Sequence, residues 1–371
     1  MSSRSPAKEG HLYAVILAGG RGTRFWPRSR IKHPKQLMNL WDRTSLLQQT
    51  VERLRPLIPL SRVWIFTNEN LVREVIRQLP GVPRSQIVAE PVQRNTAPCA
   101  GLAAELIGAR DPEAVLGVFP SDHPIRKPGL FRKVVKLAAR NAAQGAIVVL
   151  GIAPRWPETG YGYIEFNEPP SLATIRALPV KRFHEKPPLA VAKRYLRAKR
   201  FFWNSGMFFW TARTIREALR RFLPQTANVL ETIAHRLADG QGTELRRRQR
   251  VLAQLYSDCE NISVDYAVAE KAPWVVGIPC DIGWNDVGSW NAVYDLLPHD
   301  GKANVLRTET LLLDSTRLLV DVPGKLVAGI GLENLVIVET DDALLLARRD
   351  RAQDVSRLVK ELEKARRNDL L

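Results

Sequence analysis

Three glycines and a run of cations are the first residues in the chain that could do chemistry. Residues 18–24 read Ala18, Gly19, Gly20, Arg21, Gly22, Thr23, Arg24, and Arg28, Arg30, Lys32 and Lys35 follow. Glycine removes the Cβ atoms that keep a ligand off backbone N–H groups, and it tolerates positive φ. Such a loop can cradle phosphate oxygens, with the basic residues supplying charge. The pattern is not a P-loop, because Thr23 and Arg24 stand where Lys-Ser/Thr would close it. Nor is it the dinucleotide fingerprint, because Phe25 occupies the third glycine position.

Further polar clusters follow apolar segments. Residues 90–98 hold Gln93, Arg94, Asn95 and Thr96, a loop that could read a base edge or could simply cap a helix through Thr96. Asp122 ends an apolar run and is placed to hold Mg²⁺ beside the glycine loop, whereas His123 reads better as a structural histidine. Asp281 and Asp286 are candidate acids among glycines and tryptophans, and a second aspartate beside Asp122 would complete a metal site. Residues 160–166 alternate aromatic and small side chains. In residues 201–210, Asn204, Ser205 and Gly206 interrupt an aromatic stretch. Apolar walls with few polar groups suit a sugar pocket, and a hydrophobic core with a turn is the alternative.

The elements that must position these groups are legible from periodicity. Apolar runs at 12–17, 63–66, 87–88, 115–119 and 146–152 predict strands. Helical stripes occupy 45–57, 70–79, 98–109 and 131–141, the first capped by Thr44 or Ser45. Alternation of this kind predicts βαβ units and a mainly parallel sheet, with the loops following the strands gathered on one edge. Helices dominate 212–254, broken at Gly240-Gln241-Gly242, and a short helix capped by Ser263 covers 263–271. Beyond residue 295, short apolar runs at 311–314, 318–322, 325–329, 335–339 and 343–347 predict a small β domain, and a terminal helix carries Val355, Leu358, Val359 and Leu362. The division expected is a disordered leader over 1–10, a catalytic domain over 11–295 and a β domain over 296–371, the last serving packing or the pairing of two copies.

Composition narrows the class. The 371 residues are 45% hydrophobic and 25% charged, ordinary for a soluble globular chain. No apolar run reaches the roughly 20 residues of a membrane span, and no signal-peptide core opens the chain, so a cytoplasmic protein without membrane contact is expected. Cys99, Cys259 and Cys280 are too scattered for a zinc site or a disulfide framework. The net charge of +17 is spread along the chain without any nucleic-acid recognition motif, so small phosphate-rich ligands account for it as well.

Taken in order, residues 17–27, 34–36, 94–98, 121–123, 162–165, 185–187, 203–208, 265–267 and 284–290 resemble the bacterial mannose-1-phosphate guanylyltransferases, members of the sugar-1-phosphate nucleotidyltransferases. The resemblance implies a Rossmann-like α/β fold (GT-A-like), with a mixed, mainly parallel sheet flanked by helices and a β-helix-like C-terminal domain. It implies transfer of GMP from GTP to mannose 1-phosphate, releasing pyrophosphate, with Mg²⁺ and without a covalent enzyme intermediate. By motif position, Ala18, Gly19, Gly20, Gly22 and Thr23 would hold the nucleotide phosphates. Arg24 and Lys35 would stabilise pyrophosphate, and Arg94, Asn95 and Thr96 would lie near base and ribose. Asp122 and Asp286 would bind the metal, while Gly162, Glu165, Glu185 and Asn204 would hold the sugar and Lys186 its phosphate. His33 and Asn285 depart from the family pattern and leave sugar preference open. The phosphomannose isomerase domain of longer relatives has no counterpart in this sequence, so that activity is not expected. The alternatives are a transferase for another nucleotide or hexose 1-phosphate, or a non-catalytic polyanion binder on the same fold.

Overall fold

The computed structural model describes residues 9–239 and 244–371. The expected leader lies outside the described residues as far as residue 8, and Glu9 and Gly10 belong to a short 3-10 turn, Glu9–His11. The expected break at Gly240-Gln241-Gly242 also lies outside them. Among the described residues, no helix is long and apolar enough to cross a membrane.

The chain forms two compact units that do not divide it linearly at residue 295. One runs up to Gly19 and continues through Val51–Ser121 and Ile125–Trp284. The other comprises Gly20–Thr50, Asp122–Pro124 and Asn285–Leu371.

The first unit is built on nine strands: β1 Leu12–Ala18, β2 Val63–Asn68, β3 Ile87–Glu90, β4 Val115–Pro120, β5 Ile147–Ile152, β6 Tyr163–Phe166, β7 Leu178–His184, β8 Phe201–Thr211 and β9 Val275–Cys280. Their order is β3-β2-β1-β4-β8-β5-β9-β7-β6. Strands β7 and β8 oppose the other seven, so the sheet is mixed and mainly parallel, as the alternation predicts. Strands such as β5, buried along its whole length, are continuous apolar runs because helices cover both faces of a parallel sheet. In the helix Pro128–Ala142, Phe131, Val134, Val135, Ala138 and Ala142 recur at helical spacing and are buried.

Residues 201–211 form one continuous strand rather than two apolar segments around a turn. Gly206 takes φ 68°, and the register between β5 and β8 shifts there, so the polar triplet makes a bulge inside the sheet. The segment expected as an ordinary helix over 263–271 is instead a single π turn, Asp265–Ala269.

The second unit ends in stacked short strands: β10 Val305–Leu306, β11 Thr310–Leu313, β12 Leu319–Asp321, β13 Val327–Ile330, β14 Leu335–Thr340 and β15 Ala343–Arg348. Parallel pairing of Val305 with Leu319 and of Leu319 with Val336 stacks successive turns of chain, which is β-helix geometry. Its core includes residues far away in sequence: Phe25, Trp26, Met38 and Leu40 are buried with Trp290, Val305, Val338 and Val359. Those apolar side chains explain why 20–50 belong to this unit. The helix Leu46–Leu54 starts at a capping box, in which Ser45 Oγ accepts from Gln48 N at 3.2 Å and Gln48 Oε1 from Ser45 N at 2.9 Å. Ser45, not Thr44, is thus the cap.

Candidate functional site

In the second unit, the glycine loop and the two aspartates meet at Lys35. Gly22 takes φ 62°, and a Cβ built on it would lie 2.4 Å from Lys35 Cβ and 2.9 Å from Lys35 N. Gly22 is therefore required by the chain's own packing as well as by any ligand. Gly20 has open space where a Cβ would be, which leaves its backbone approachable. Lys35 is buried, and its Nζ lies 2.8 Å from Asp122 Oδ2 and donates to the Asp286 backbone carbonyl at 2.6 Å. Burial works against the Asp122 carboxylate, but Lys35 and His123 outweigh it and hold its pKa below the ordinary value. His123 Nε2 stands 3.7 Å from Asp122 Oδ1. Gln36 Nε2 donates to Gly20 O at 3.0 Å and fixes the loop's course. Arg24 is solvent-exposed.

Several cations that the sequence offered to a ligand are structural instead. Arg28 pairs with Asp321 at 2.6 Å, Arg30 with Asp342 at 2.6 Å and Arg21 with Glu363 at 2.6 Å. Arg30 and Trp26 Nε1 also donate to Leu370 O. These bonds tie the segment after the loop to the β-helix and terminal helix, whose carboxylates lie far along the sequence. No local spacing could have shown that.

In the first unit, the end of β1 is braced by neighbouring strands. Thr67 Oγ1 donates to Ala18 O at 3.0 Å, Asn68 Nδ2 to Gly19 O at 3.2 Å, and Gln93 Nε2 also to Gly19 O. The helix Thr96–Gly108 is capped by Asn95, not Thr96: Asn95 Oδ1 accepts from Thr96 N at 2.9 Å, with φ at 64°. Thr96 Oγ1 instead accepts from Val264 N at 2.9 Å, and Arg94 donates to Ser257 O. The turn is therefore well capped and also pinned to 257–264. Beside it Glu90, which ends β3, is buried under Tyr256, whose Oη donates to Glu90 Oε1 at 2.6 Å. Burial pushes this carboxyl up to about 7, against the smaller opposing effects of the Tyr256 and Cys99 bonds.

Gly162, Glu185, Lys186 and Asn204 come together in the first unit. A Cβ on Gly162 would lie 2.5 Å from Glu185 Oε2 and 3.5 Å from Asn204 Cβ, so any larger residue here would displace the Glu185 carboxylate. Lys186 Nζ lies 3.1 Å from Glu185 Oε1, with φ at 40°. Asn204 Oδ1 accepts from Gly206 N at 3.0 Å, and its Nδ2 donates to Asp265 Oδ1 at 2.6 Å. Asp265 matched a family motif but the residue pattern assigned it no role. Its partnership with Asn204 arises across the fold and has no sequence signal. Tyr161 packs edge-on to Trp203 and Trp284, with centroids 5.3 and 5.4 Å apart, and forms an aromatic wall.

Two expected acids are engaged elsewhere. Glu165 is buried among Lys181 at 3.0 Å, His184 at 3.0 Å and Arg200 at 3.1 Å. Burial opposes its charge, but His184 and Lys181 outweigh that and lower its pKa. Asp281 is held by Lys127 at 2.8 Å and Arg155 at 3.0 Å, which makes it a surface brace rather than a metal ligand. Its side chain also closes a turn by accepting from Gly283 N.

Comparison with known proteins places this arrangement. Residues 13–302 match the nucleotidyl transferase family, and residues 308–362 match the MannoseP isomerase/GMP-like beta-helix domain. The xanthan biosynthesis protein XanB of Xanthomonas campestris pv. campestris is 39% identical over 96% of this chain and 74% of its own. The mannose-1-phosphate guanylyltransferase of Escherichia coli is 37% identical over 96% of this chain and 75% of its own. A crystal structure from Thermus thermophilus, described as a mannose-1-phosphate geranyltransferase, superposes with a TM-score of 0.83 at 32% identity, covering 95% of this chain and 99% of that one. With a family match over most of its length and relatives of this closeness, the chain belongs to the nucleotidyl transferase family, among the relatives called mannose-1-phosphate guanylyltransferases.

Proposed function

We propose that the chain transfers GMP from GTP to mannose 1-phosphate, releasing pyrophosphate and forming GDP-mannose. The observation that carries this reading is Lys35 Nζ held between the Asp122 carboxylate and the Asp286 carbonyl beside Gly22. The names of the relatives supply the substrates. The sugar phosphate oxygen is the nucleophile and attacks the α-phosphorus; the second pKa of a phosphate monoester is near 6, so it is already ionised at neutral pH. No histidine base is needed. What remains is to position two polyanions and neutralise their charge.

The residues divide that work. Backbone N–H groups of Ala18, Gly19, Gly20, Gly22 and Thr23 hold phosphates, and Arg24 and Lys35 stabilise departing pyrophosphate. Arg94, Asn95 and Thr96 serve the base and ribose through a braced loop. Glu185 and Asn204, with Gly162 making room, hold the hexose, and Lys186 takes its phosphate. Glu165, on β6, supports this set by anchoring β7 through Lys181 and His184 and the start of β8 through Arg200. Asp122, through its carboxylate, and Asp286, whose backbone carbonyl meets the same Lys35 ammonium, would hold Mg²⁺, a hard cation suited to oxygen donors. When bound there, the metal would supply Lewis-acid charge stabilisation.

The test is a pyrophosphate-release assay crossing four nucleoside triphosphates with several hexose 1-phosphates. GTP with mannose 1-phosphate should dominate, and equal or better turnover of another pair would overturn the assignment. Two copies would pair through the β-helix, where Leu311, Leu313 and Ile330 lie side by side on β11 and β13 with 59%, 54% and 72% of their surface exposed. Apolar faces of this kind are seldom left to water. Light scattering should give a dimer mass that Leu313→Asp with Ile330→Asp reduces to a monomer; a monomeric wild type at micromolar concentration would exclude pairing there.

A further inference from the structure

Asn204 is nearly fully used by the protein. Its carbonyl oxygen accepts from Gly206 N and one amide hydrogen goes to Asp265, which leaves one N–H for a ligand. Its backbone N donates to Gly162 O at 2.8 Å, so the side chain leaves the strand next to the glycine that admits Glu185. The direction of that remaining N–H is set from both ends of the amide, by Gly206 N on the oxygen and by Asp265 on the nitrogen, and only the second contact is charge-assisted.

Asp265 sits where a purely structural acid would be disfavoured. It opens the π turn, an irregularity that recurs at functional sites because it costs helix geometry. Thr96 Oγ1 pins the preceding residue, Val264, through its backbone N. Burial raises the Asp265 pKa, and Glu185 adds to the rise by repulsion. Glu270, on the following turn, is raised by burial and by both of them. For stability alone, an apolar or amide residue would do better than a half-buried acid among acids. What the arrangement provides is a fixed donor on Asn204 with carboxylate acceptors on Asp265 and Glu185 beside it, a pattern that complements adjacent sugar hydroxyls, each both donor and acceptor.

Resting on the guanylyltransferase reading, we propose that Asp265 is a positioning residue for hexose 1-phosphate recognition, which holds the Asn204 amide in the orientation that meets the sugar hydroxyls. Its role lies in sugar affinity rather than in the phosphoryl transfer step.

The experiment compares wild type, Asp265→Asn and the exchanged pair Asn204→Asp/Asp265→Asn in steady-state kinetics, calorimetric titration with mannose 1-phosphate, and melting temperature. Asp265→Asn should raise the KM for mannose 1-phosphate roughly five- to tenfold, the difference expected when a charged acceptor is replaced by a neutral amide that can still accept. The KM for GTP should change less than about twofold, since the variant leaves the nucleotide loop in place. The exchanged pair restores a donor–acceptor contact, so its melting temperature should return to the wild-type value while the sugar KM and calorimetric affinity stay impaired. Equal rises in both KM values, an unchanged sugar KM in Asp265→Asn, or full kinetic recovery in the exchanged pair would each overturn the proposal. Should Asp265→Asn alone fold poorly, Asp265→Ser, which keeps an oxygen on a shorter side chain and leaves Asn204 in place, takes its place in the same comparison. A wild type that prefers another hexose 1-phosphate would refute the mannose reading, and the same comparison with that sugar would still decide the role of Asp265.

Discussion

Replacing Glu90 by Gln gives a prediction whose magnitude follows from burial. Glu90 is 8% exposed at the end of β3, and its carboxyl is pushed from an ordinary 4.5 to about 7. A raised carboxyl pKa means that the folded state favours the protonated form. The associated stability is present below about 4.5, falls as pH rises through the interval, and is lost above about 7. At about 1.4 kcal/mol per pH unit the full effect is about 3 kcal/mol, of which the larger part falls between pH 5 and pH 8. Gln cannot ionise but can still accept from Tyr256 Oη, so Glu90→Gln should escape this loss. Cys99 provides a local readout, because it is buried against Glu90 and can react with a thiol reagent only when the surrounding structure opens. Modification of Cys99 would be followed by mass spectrometry in both proteins at pH 5 and pH 8. Taking the ratio of the two rates at each pH cancels the reagent's own pH dependence. The wild-type rate divided by the variant rate should rise by roughly one to two orders of magnitude from pH 5 to pH 8, which is that loss of stability expressed as a rate. A ratio unchanged between the two pH values would show that Glu90 does not ionise in this interval and would refute the burial argument.

Two further outcomes follow from the site. Asp122→Ala, which removes the carboxylate paired with Lys35, should lower turnover by about two to three orders of magnitude while the protein remains folded. Chelation should abolish wild-type activity, with Mg²⁺ restoring it. Near-normal GDP-mannose synthesis by the variant, or activity indifferent to chelator, would remove Asp122 from a metal site. Lys186→Ala should raise the KM for mannose 1-phosphate with little change for GTP, because the exposed Lys186 side chain contributes little to packing; an unchanged KM and kcat would end its assignment to the sugar phosphate.

Strands β1 to β5 of the first unit and β11 to β15 of the second follow from periodicity, because burial on both faces or on alternate positions marks a sequence directly. The π turn at Asp265–Ala269 leaves no such mark, and the polar triplet around Gly206 marks an interruption without showing that it is a bulge inside one strand rather than a turn. Thr96 is the visible capping candidate, yet Asn95 takes the position, because Thr96 has a long-range partner in Val264 that no local rule contains.

The amino-acid sequence by itself determined the chemical inventory: a glycine loop, cations after it, aspartates after apolar runs and a polar break in an aromatic stretch. Residue type and order suffice for that, because each carries its charge, hydrogen-bonding capacity and backbone freedom wherever it lies. Only the tertiary structure decided which members of the inventory are committed to holding the chain together. Arg21, Arg28 and Arg30 are claimed by Glu363, Asp321 and Asp342, and Glu165 is claimed by Lys181, Arg200 and His184, whereas Lys35 meets Asp122 and Asn204 meets Asp265. Pairings of this kind depend on through-space distance between residues remote along the chain, and a charge has no role until its nearest opposite charge is known.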